Sequence, residues 1–287
     1  MWEAIEQAIA ETTGEPFEII GKSSIGGGCI NDAQRLDGSN SASYFAKTND
    51  SSFLPLFEAE AEALREIAET NTIRVPIPVC HGLASGDRAF LVLEYVEIGS
   101  DGPSSQRQLG QSLARLHQVR KARFGWTRDN AIGSTPQPND PSDDWATFYR
   151  DQRLLFQFDL AAGKGKRFRG SDELLERVPE LLADHEIFPS ILHGDLWGGN
   201  AACDLNGEPF VFDPATYYGD RETDLAFTEM FGGFSIDFRQ SYEDTFPLDV
   251  GYPRRKILYN LYHLLNHFNI FGGGYASSAQ SSIDELL

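Results

Sequence analysis

The segment 193–200 places one aspartate, Asp195, five residues before an asparagine, Asn200. A second aspartate, Asp213, follows thirteen residues after Asn200, at the end of the apolar run 209–212. Phosphoryl transfer needs a carboxylate that accepts the proton of the attacking hydroxyl, and an amide oxygen and a carboxylate that hold Mg²⁺ on the phosphates. Taken alone, residues 193–195 also fit an ordinary turn, and Asp213 also fits the end of a strand. Together, in this order, they predict a kinase catalytic loop followed by a hairpin that ends at a metal ligand.

A second candidate phosphate-binding feature lies near the amino terminus. Bare glycine backbone can approach phosphate oxygens closely, and the run at 26–28 consists of Gly26, Gly27 and Gly28. Lys47 stands on the predicted strand that returns after the turn at 37–40. A helix predicted over 53–69 offers Glu58, Glu60 or Glu62 as the carboxylate that holds this lysine.

Two other motif matches fail on single residues. The triplet 21–23 resembles the end of a Walker A loop, but Pro16 occupies the position that requires glycine. His263 and His267 are four residues apart on a predicted helix, but Leu264 stands where a zinc protease needs glutamate. We therefore interpret the two histidines as core or interface residues.

The composition and net charge disfavour several classes of binding partner. The 287 residues carry a formal charge of −19, which disfavours binding to nucleic acid or to an anionic membrane. No apolar run is long enough to span a bilayer, and no basic leader precedes an apolar segment. The three cysteines lack a CxxC pair, which is typical of a reducing cytoplasm. Cys29, next to the glycine run, is a candidate redox-sensitive thiol.

The order of elements predicts an α+β chain with two lobes. Strand patterns around the 53–69 helix fill residues 1–97, and the polar stretch 99–105 follows as a joint. Helices dominate residues 98–287, with predicted helices at 104–120, 143–162 and 171–184, and a helical tail. A strand-rich island at 190–213 carries the aspartate motifs, and 133–142 is predicted to be a loop.

These motifs resemble the fructosamine kinase (ketosamine-3-kinase) family. The resemblance rests on 193–200, 212–215 and 218–220, with further similarity at 57–60 and 230–234, and it extends over nearly the whole chain. The pattern HGDxxxxN is shared with aminoglycoside and choline kinases. Trp197 and the Asp-Pro-Ala sequence at 213–215 narrow it to this family.

The resemblance implies a protein-kinase-like fold with ATP between a small nucleotide-binding lobe, 1–97, and a larger catalytic lobe, 98–287. It implies the following roles: Asp195 as base, Asn200 and Asp213 as Mg²⁺ ligands, Lys47 paired with Glu60 at the phosphates, Gly26, Gly27 and Gly28 at the phosphates, Glu94 and Val96 at the adenine, and Trp197 in the sugar pocket.

It also implies an activity. Family members phosphorylate the C3 hydroxyl of a ketosamine, free or protein-linked, and the unstable product releases the amine, which amounts to deglycation. By analogy, ribulosamines or erythrulosamines are favoured over fructosamines. A kinase of another small hydroxylated molecule, such as an aminoglycoside or choline, and a nucleotide-binding pseudokinase remain alternatives. The sequence allows a monomer or a homodimer.

Overall fold

The amino-terminal part of the computed structural model is built around an antiparallel sheet. The structure describes residues 1–26 and 31–287. The first elements are α1 (Trp2–Thr13), β1 (Ile19–Ser24), β2 (Asp32–Gly38), β3 (Ser43–Asp50), α2 (Leu54–Glu69), β4 (Pro78–Ala84) and β5 (Arg88–Glu94). Within these residues the five strands pair in the order β1-β2-β3-β5-β4.

The two faces of this sheet are covered by different helices. Successive side chains of a strand point to opposite faces. Phe90 and Val92 of β5 therefore pack in the cluster that contains α1, while Leu91 and Leu93 pack in the larger cluster that contains α2. Because both faces are covered, the apolar run of β5 forms a buried strand, as the sequence predicts.

The rest of the chain is mainly helical. Its α-helices are α3 (Pro103–Leu116), α4 (Trp145–Tyr149), α5 (Phe156–Gly163), α6 (Ser171–Leu182), α7 (Glu222–Thr228), α8 (Ile236–Thr245), α9 (Tyr252–Phe271) and α10 (Tyr275–Leu286). Its strands are β6 (Asn130–Ile132), β7 (Thr135–Gln137), β8 (Ser190–Ile191), β9 (Ala201–Cys203), β10 (Pro209–Val211) and β11 (Tyr218–Gly219). They form the short pairs β6–β7, β9–β10 and β8–β11. The predicted α+β arrangement of a β-rich lobe followed by a helical lobe is confirmed.

Several boundaries differ from the prediction. The stretch 143–162 is not one α-helix, since a wider π-helical turn, Arg150–Leu155, separates α4 from α5. The predicted loop 133–142 contains β7, which pairs with β6. Helices α1 and α8 and strand β4 were not predicted. None of the helices in the described ranges is long and apolar enough to cross a membrane.

The connection between the lobes lies against the β9–β10 hairpin. Gly99 donates its amide to the Cys203 carbonyl at 2.8 Å. Arg74 spans the junction, donating to the Asp204 carboxylate of the helical lobe at 2.7 Å and to Glu94 at 3.1 Å. These contacts fix the end of β5 relative to the hairpin that leads to Asp213.

Candidate active site

The predicted site residues in the described part of the chain line one cleft between the lobes. Its volume is about 1240 Å³. The predicted residues along its wall are Gly26, Lys47, Glu60, Glu94, Val96, Asp195, Trp197, Asn200 and Asp213. Gly27, Gly28 and Cys29 lie outside the described residues, so the geometry of the glycine run and the redox hypothesis for Cys29 stay predictions.

Lys47 joins the two lobes at the centre of this cleft. Its Nζ donates to Glu60 of α2 at 2.7 Å and to Asp213 at 2.5 Å. Burial alone would lower the pKa of Lys47, but the charges of Asp213 and Glu60 outweigh it and raise the pKa above its ordinary value. The ammonium therefore stays protonated, as a phosphate contact requires.

The loop that follows β8 presents Asp195 and Asn200 together. The Asn200 Nδ2 donates to the Asp195 backbone oxygen at 2.8 Å and to its carboxylate at 3.1 Å. Burial, followed by the charge of Asp213, raises the pKa of the Asp195 carboxyl well above its usual range. A raised pKa makes a carboxylate a better proton acceptor from a hydroxyl.

Asp213 has a strained backbone. Its φ is 56°, in the left-handed region that residues with side chains rarely adopt, and it directly precedes Pro214. Such strain persists only where surrounding contacts enforce it, and it often accompanies function. Here the strained residue directs its carboxylate to Lys47 across the cleft.

His193 ties the Asp195 loop to the Asp213 segment. The Asp195 amide donates to Nδ1 at 3.2 Å, so Nε2 carries the proton and donates to the Phe212 carbonyl at 2.9 Å. Burial lowers the pKa of His193, which keeps this neutral tautomer. Next to it, a Cβ at Gly194 would lie 2.0 Å from the Ala215 carbonyl oxygen, so only glycine allows the two segments to approach.

Asp224 of α7 was missed by the sequence analysis. Its two carboxylate oxygens accept the amides of His193 at 2.7 Å and Gly194 at 2.8 Å. His117, the residue directly after α3, donates to the same carboxylate at 3.1 Å. This buried carboxylate holds the backbone immediately before Asp195. Nothing in the local sequence distinguishes it from the neighbouring Asp220 and Glu222.

His185, in the connection between α6 and β8, contacts residues at the start of α7. Its Nδ1 lies 2.7 Å from Asp249, and its Nε2 lies 3.2 Å from Asp220 and 3.6 Å from Glu222. Arg255 pairs with both oxygens of Glu222, at 2.7 and 2.8 Å, and also with Asp249. The cluster is therefore an ion-pair network in which carboxylates face both ring nitrogens of His185.

This network predicts a pH-dependent contribution to stability. Burial lowers the pKa of His185, but its hydrogen bond and charge interaction with Asp220 outweigh this and raise it above the ordinary 6.5. The resulting stability is present below about pH 6.5 and is lost as the pH rises through the folded-state pKa. We expect the Tm advantage of the wild type over His185→Gln to shrink as the pH is raised from about 6 to about 8.5. Thermal unfolding at each pH measures it, and an advantage independent of pH would contradict it.

The end of β5 forms the other side of the cleft. The Glu94 carboxylate is held by Arg74 and by the Ile77 amide at 3.3 Å. Among the described residues, neither the amide nor the carbonyl of Val96 makes a backbone hydrogen bond. An apolar cleft with unused backbone polar groups suits a planar heterocycle such as adenine.

Comparison with known proteins decides the family. The sequence model of the fructosamine kinase family matches residues 1–287. The chain belongs to the fructosamine kinase family. The predicted resemblance is therefore confirmed.

Relatives in this kinase family match all or nearly all of the chain. A probable ketoamine kinase of Synechocystis sp. is 48% identical, with 100% of this chain and 97% of the relative covered. The chloroplastic protein-ribulosamine 3-kinase of Arabidopsis thaliana is 41% identical, with 96% and 85% covered. A crystal structure from Haemophilus somnus, provisionally named a fructosamine-3-kinase, has a TM-score of 0.93 and 34% identity, with 100% and 98% covered.

The fold is shared more widely. An aminoglycoside phosphotransferase crystallised with AMP-PNP and hygromycin B has a TM-score of 0.64 at 15% identity, with 99% of this chain and 97% of the other covered. The predicted two-lobed, kinase-like fold is confirmed.

The side chains of Asn200 and Asp213, the predicted Mg²⁺ ligands, offer oxygen atoms that suit this metal. Because Asn200 uses its Nδ2 toward Asp195, its Oδ1 remains as an acceptor that faces no donor among the described residues. The Asp213 carboxylate is 42% exposed toward the cleft. An amide oxygen and a carboxylate on either side of one loop are the hard oxygen ligands that Mg²⁺ prefers.

Trp197 lines the same cleft of the kinase as Asp195. Its side chain is 38% exposed. A Cβ at Gly199 would lie 2.2 Å from the indole ring, so the ring rests directly on the glycine backbone. This packing fixes an aromatic face beside Asp195.

More aromatic side chains line the cleft of the kinase than the sequence predicted. They include Trp197 and a group of rings in mutual contact, Phe227, Phe231, His267, Phe271 and Tyr275. His263 is a core residue, stacked on Phe227 at 3.6 Å, as predicted. His267 instead reaches the cleft, with its Nδ1 donating to the His263 carbonyl at 2.7 Å. The helical spacing could not distinguish the two histidines.

Proposed function

We propose that this chain uses ATP and Mg²⁺ to phosphorylate the C3 hydroxyl of ketosamines, free or protein-linked. The observation that carries the proposal is one cleft in which Lys47 bridges Glu60 and Asp213, while Asp195 and Asn200 stand beside the rings around Trp197, which we assign as the acceptor end. The names of the relatives, ketoamine kinase and protein-ribulosamine 3-kinase, support the same substrate class.

We assign one role in the reaction to each residue of the site. Asp195 accepts the proton of the acceptor hydroxyl, and its position is held by Asn200 and, through the backbone, by Asp224. Lys47 binds the phosphates and is oriented by Glu60. Asn200 and Asp213 would hold Mg²⁺, which when bound neutralises charge on the transferring phosphoryl group. Such a site acts mainly by positioning and by charge.

The acceptor end favours a ketosamine over a polycationic acceptor. An aminoglycoside would be met by several convergent carboxylates. Among the described residues, the carboxylates that line the cleft are those of Asp195, Glu97, Glu60, Asp213 and Glu94. Glu60 and Asp213 both pair with Lys47, and Glu94 pairs with Arg74, so no group of unpaired carboxylates converges beside the rings around Trp197. An aromatic ring can pack on the C–H face of a sugar. This argues against the aminoglycoside-kinase alternative, and the complete set of Lys47, Asp195, Asn200 and Asp213 argues against a pseudokinase.

We further propose residues 1–97 as the nucleotide lobe and 98–287 as the catalytic and substrate lobe, and a cytoplasmic location. The lobe boundary is supported by the joint after β5, where Gly99 meets Cys203. The location is supported by the free, buried thiols of Cys80 and Cys203. One chain supplies every site residue named here, so the activity is compatible with a monomer or a homodimer.

The proposal is tested by Mg²⁺-dependent ATP consumption with ribulose-lysine and fructose-lysine in parallel, with Asp195→Asn as the blank. Turnover that the variant abolishes would support the proposal, and the ratio of the two kcat/KM values would rank the sugars. If neither sugar is turned over while ATP still binds, the acceptor is a different small molecule.

The aromatic face is tested by Trp197→Leu. Loss of ring packing on the sugar is expected to raise the KM for the ketosamine by up to about tenfold, since such contacts are worth about 1 kcal/mol. The KM for ATP is expected to stay unchanged. Trp2→Leu is the matched control, because Trp2 lies on α1 beneath Lys22. An unchanged KM for the ketosamine would remove Trp197 from the sugar pocket.

A further inference from the structure

The β6–β7 hairpin forms a wall of the cleft. Residues 130–134 line the same cavity as Asp195 and Trp197. The hairpin lies against the helical lobe, because Asn266 of α9 donates to the Ile132 carbonyl at 3.4 Å. The neighbouring residue on α9, His267, also lines the cavity. This wall therefore borders the acceptor end.

Behind the hairpin lies a buried cation that the catalytic mechanism does not use. Arg153, on the π-helical turn, is fully buried. Its guanidinium donates to the carbonyls of Pro138 at 2.6 Å and Gln152 at 3.0 Å, and to the Asn139 Oδ1 at 2.7 Å. All three acceptors are neutral. Its Nε has no hydrogen-bond partner among the described residues.

Burying the Arg153 guanidinium among neutral acceptors would be unfavourable if this residue served only to stabilise the fold. A buried charge normally needs an opposite charge to offset its loss of hydration. Here the compensation comes from neutral oxygens and from the Tyr217 ring, whose centroid lies 4.0 Å from the guanidinium carbon. Two of the three acceptors belong to the segment that follows β7. The guanidinium is thus directed at the base of the hairpin.

From Asn139 the contacts continue into the wall. The Asn139 Nδ2 donates to the Asn130 Oδ1 at 3.0 Å, and the Gln137 Nε2 donates to the same oxygen at 2.8 Å. Asn130 and Gln137 in turn donate to the carbonyls of Thr216 at 2.8 Å and Ala215 at 3.0 Å. This buried network joins the hairpin to the segment immediately after Asp213.

We propose that Arg153 is a positioning residue that fixes the β6–β7 hairpin as the acceptor-side wall of the cleft. The identity of the acceptor rests on the proposed function, but the positioning of the hairpin does not. The planar fork of an arginine holds Pro138 and Asn139 at once, which a lysine ammonium cannot do with the same geometry. A displaced wall changes how the acceptor is seated and leaves the nucleotide end intact.

The kinetic test compares Arg153→Met and Arg153→Lys with the wild type. We expect the KM for the ketosamine to rise at least about tenfold in both, with the KM for ATP unchanged, because misplaced positioning groups affect the substrate that they seat. Arg150→Met is the matched control, since Arg150 lies on the same turn and pairs with Asp151 near the surface. Equal rises in both KM values, or the same effect from Arg150→Met, would overturn the proposal.

A second measurement does not depend on ketosamine activity. Hydrogen exchange of the amides at 130–139 is expected to be at least about tenfold faster in Arg153→Lys, while exchange in β3 and β5 is unchanged. Unchanged exchange at 130–139 would overturn the proposal. If Arg153→Met does not fold, Asn139→Ala removes the same contact from the hairpin side. A wild type inactive on every ketosamine would refute the proposed function, and exchange would still decide on Arg153.

Discussion

Asp195→Asn is expected to lower kcat for ketosamine phosphorylation by at least about 10²-fold, the usual contribution of a general base. Asparagine keeps the size of the side chain but cannot accept the hydroxyl proton. The contact from Asn200 to the backbone oxygen at position 195 is independent of the side chain, so the loop is expected to keep its shape. Steady-state kinetics at saturating ATP and ketosamine measure the loss.

The same variant carries its own control for folding. Burial raises the pKa of the Asp195 carboxyl, which means that the folded protein disfavours its charge. Removing that charge is expected to leave Tm at or above the wild-type value. Asp32→Asn is the matched control, because Asp32 lies on β2, is exposed and pairs with Arg88 of β5. Turnover retained in Asp195→Asn would remove this residue from the role of base.

Lys47→Ala is expected to lower kcat/KM for ATP by at least about 10²-fold, comparable to the loss of one preorganised charge contact at a reacting group. The lysine is 6% exposed and holds two carboxylates, so its removal leaves Glu60 and Asp213 without their shared cation. Repulsion between these carboxylates and an anionic phosphate adds to the lost attraction. Titration of ATP in steady-state assays and direct measurement of nucleotide affinity together report the effect.

Lys22→Ala is the matched control for this prediction. Lys22 is the other lysine among the first 100 residues, and it lies on β1 over the Trp2 ring. It is expected to leave the kinetics for ATP unchanged. Lys47→Arg keeps the charge with a different shape and is expected to fall between the wild type and Lys47→Ala. Unchanged ATP affinity and rate in Lys47→Ala would contradict the assignment.

Elements with strong local patterns were predictable. The α2 helix shows apolar residues at helical spacing, and β5 shows a continuous apolar run, and both were found close to the predicted positions. Elements whose stability comes from distant partners were missed. Helix α1 is covered by the sheet through Ile5 and Ile9, and α8 packs against α3. In α8 the buried apolar residues are Phe238 and Tyr242, so its own sequence carries a weak apolar pattern.

The chemistry of the site was predictable from local spacing. Asp195, Asn200 and Asp213 lie within one short stretch, where the distance along the chain limits the distance in space. The pairing of Lys47 with Glu60 was implied by the family resemblance, whereas the residues alone left Glu58, Glu60 and Glu62 open as partners. The family resemblance and the two-lobed α+β fold followed from these residues.

The residues that support the site could not be predicted in the same way. Asp224 contacts the backbone of Gly194, 30 residues away in the chain. His267 lines the cleft from α9, and Arg153 contacts the base of the β6–β7 hairpin at Asn139. Their side chains have no distinctive local pattern. Burial and long-range packing, which the linear order does not encode residue by residue, decide which polar groups meet.

The sequence by itself therefore indicated phosphotransferase chemistry, because candidates for a base, for two metal ligands and for a phosphate-binding lysine are recognisable from residue type and short spacing. Only the tertiary structure decided how the acceptor end is built. Trp197 rests on Gly199, α9 directs His267 into the cleft, and Arg153 holds the opposite hairpin from behind. These arrangements arise from packing between elements far apart in the chain, where side-chain shape and buried polar contacts select one geometry.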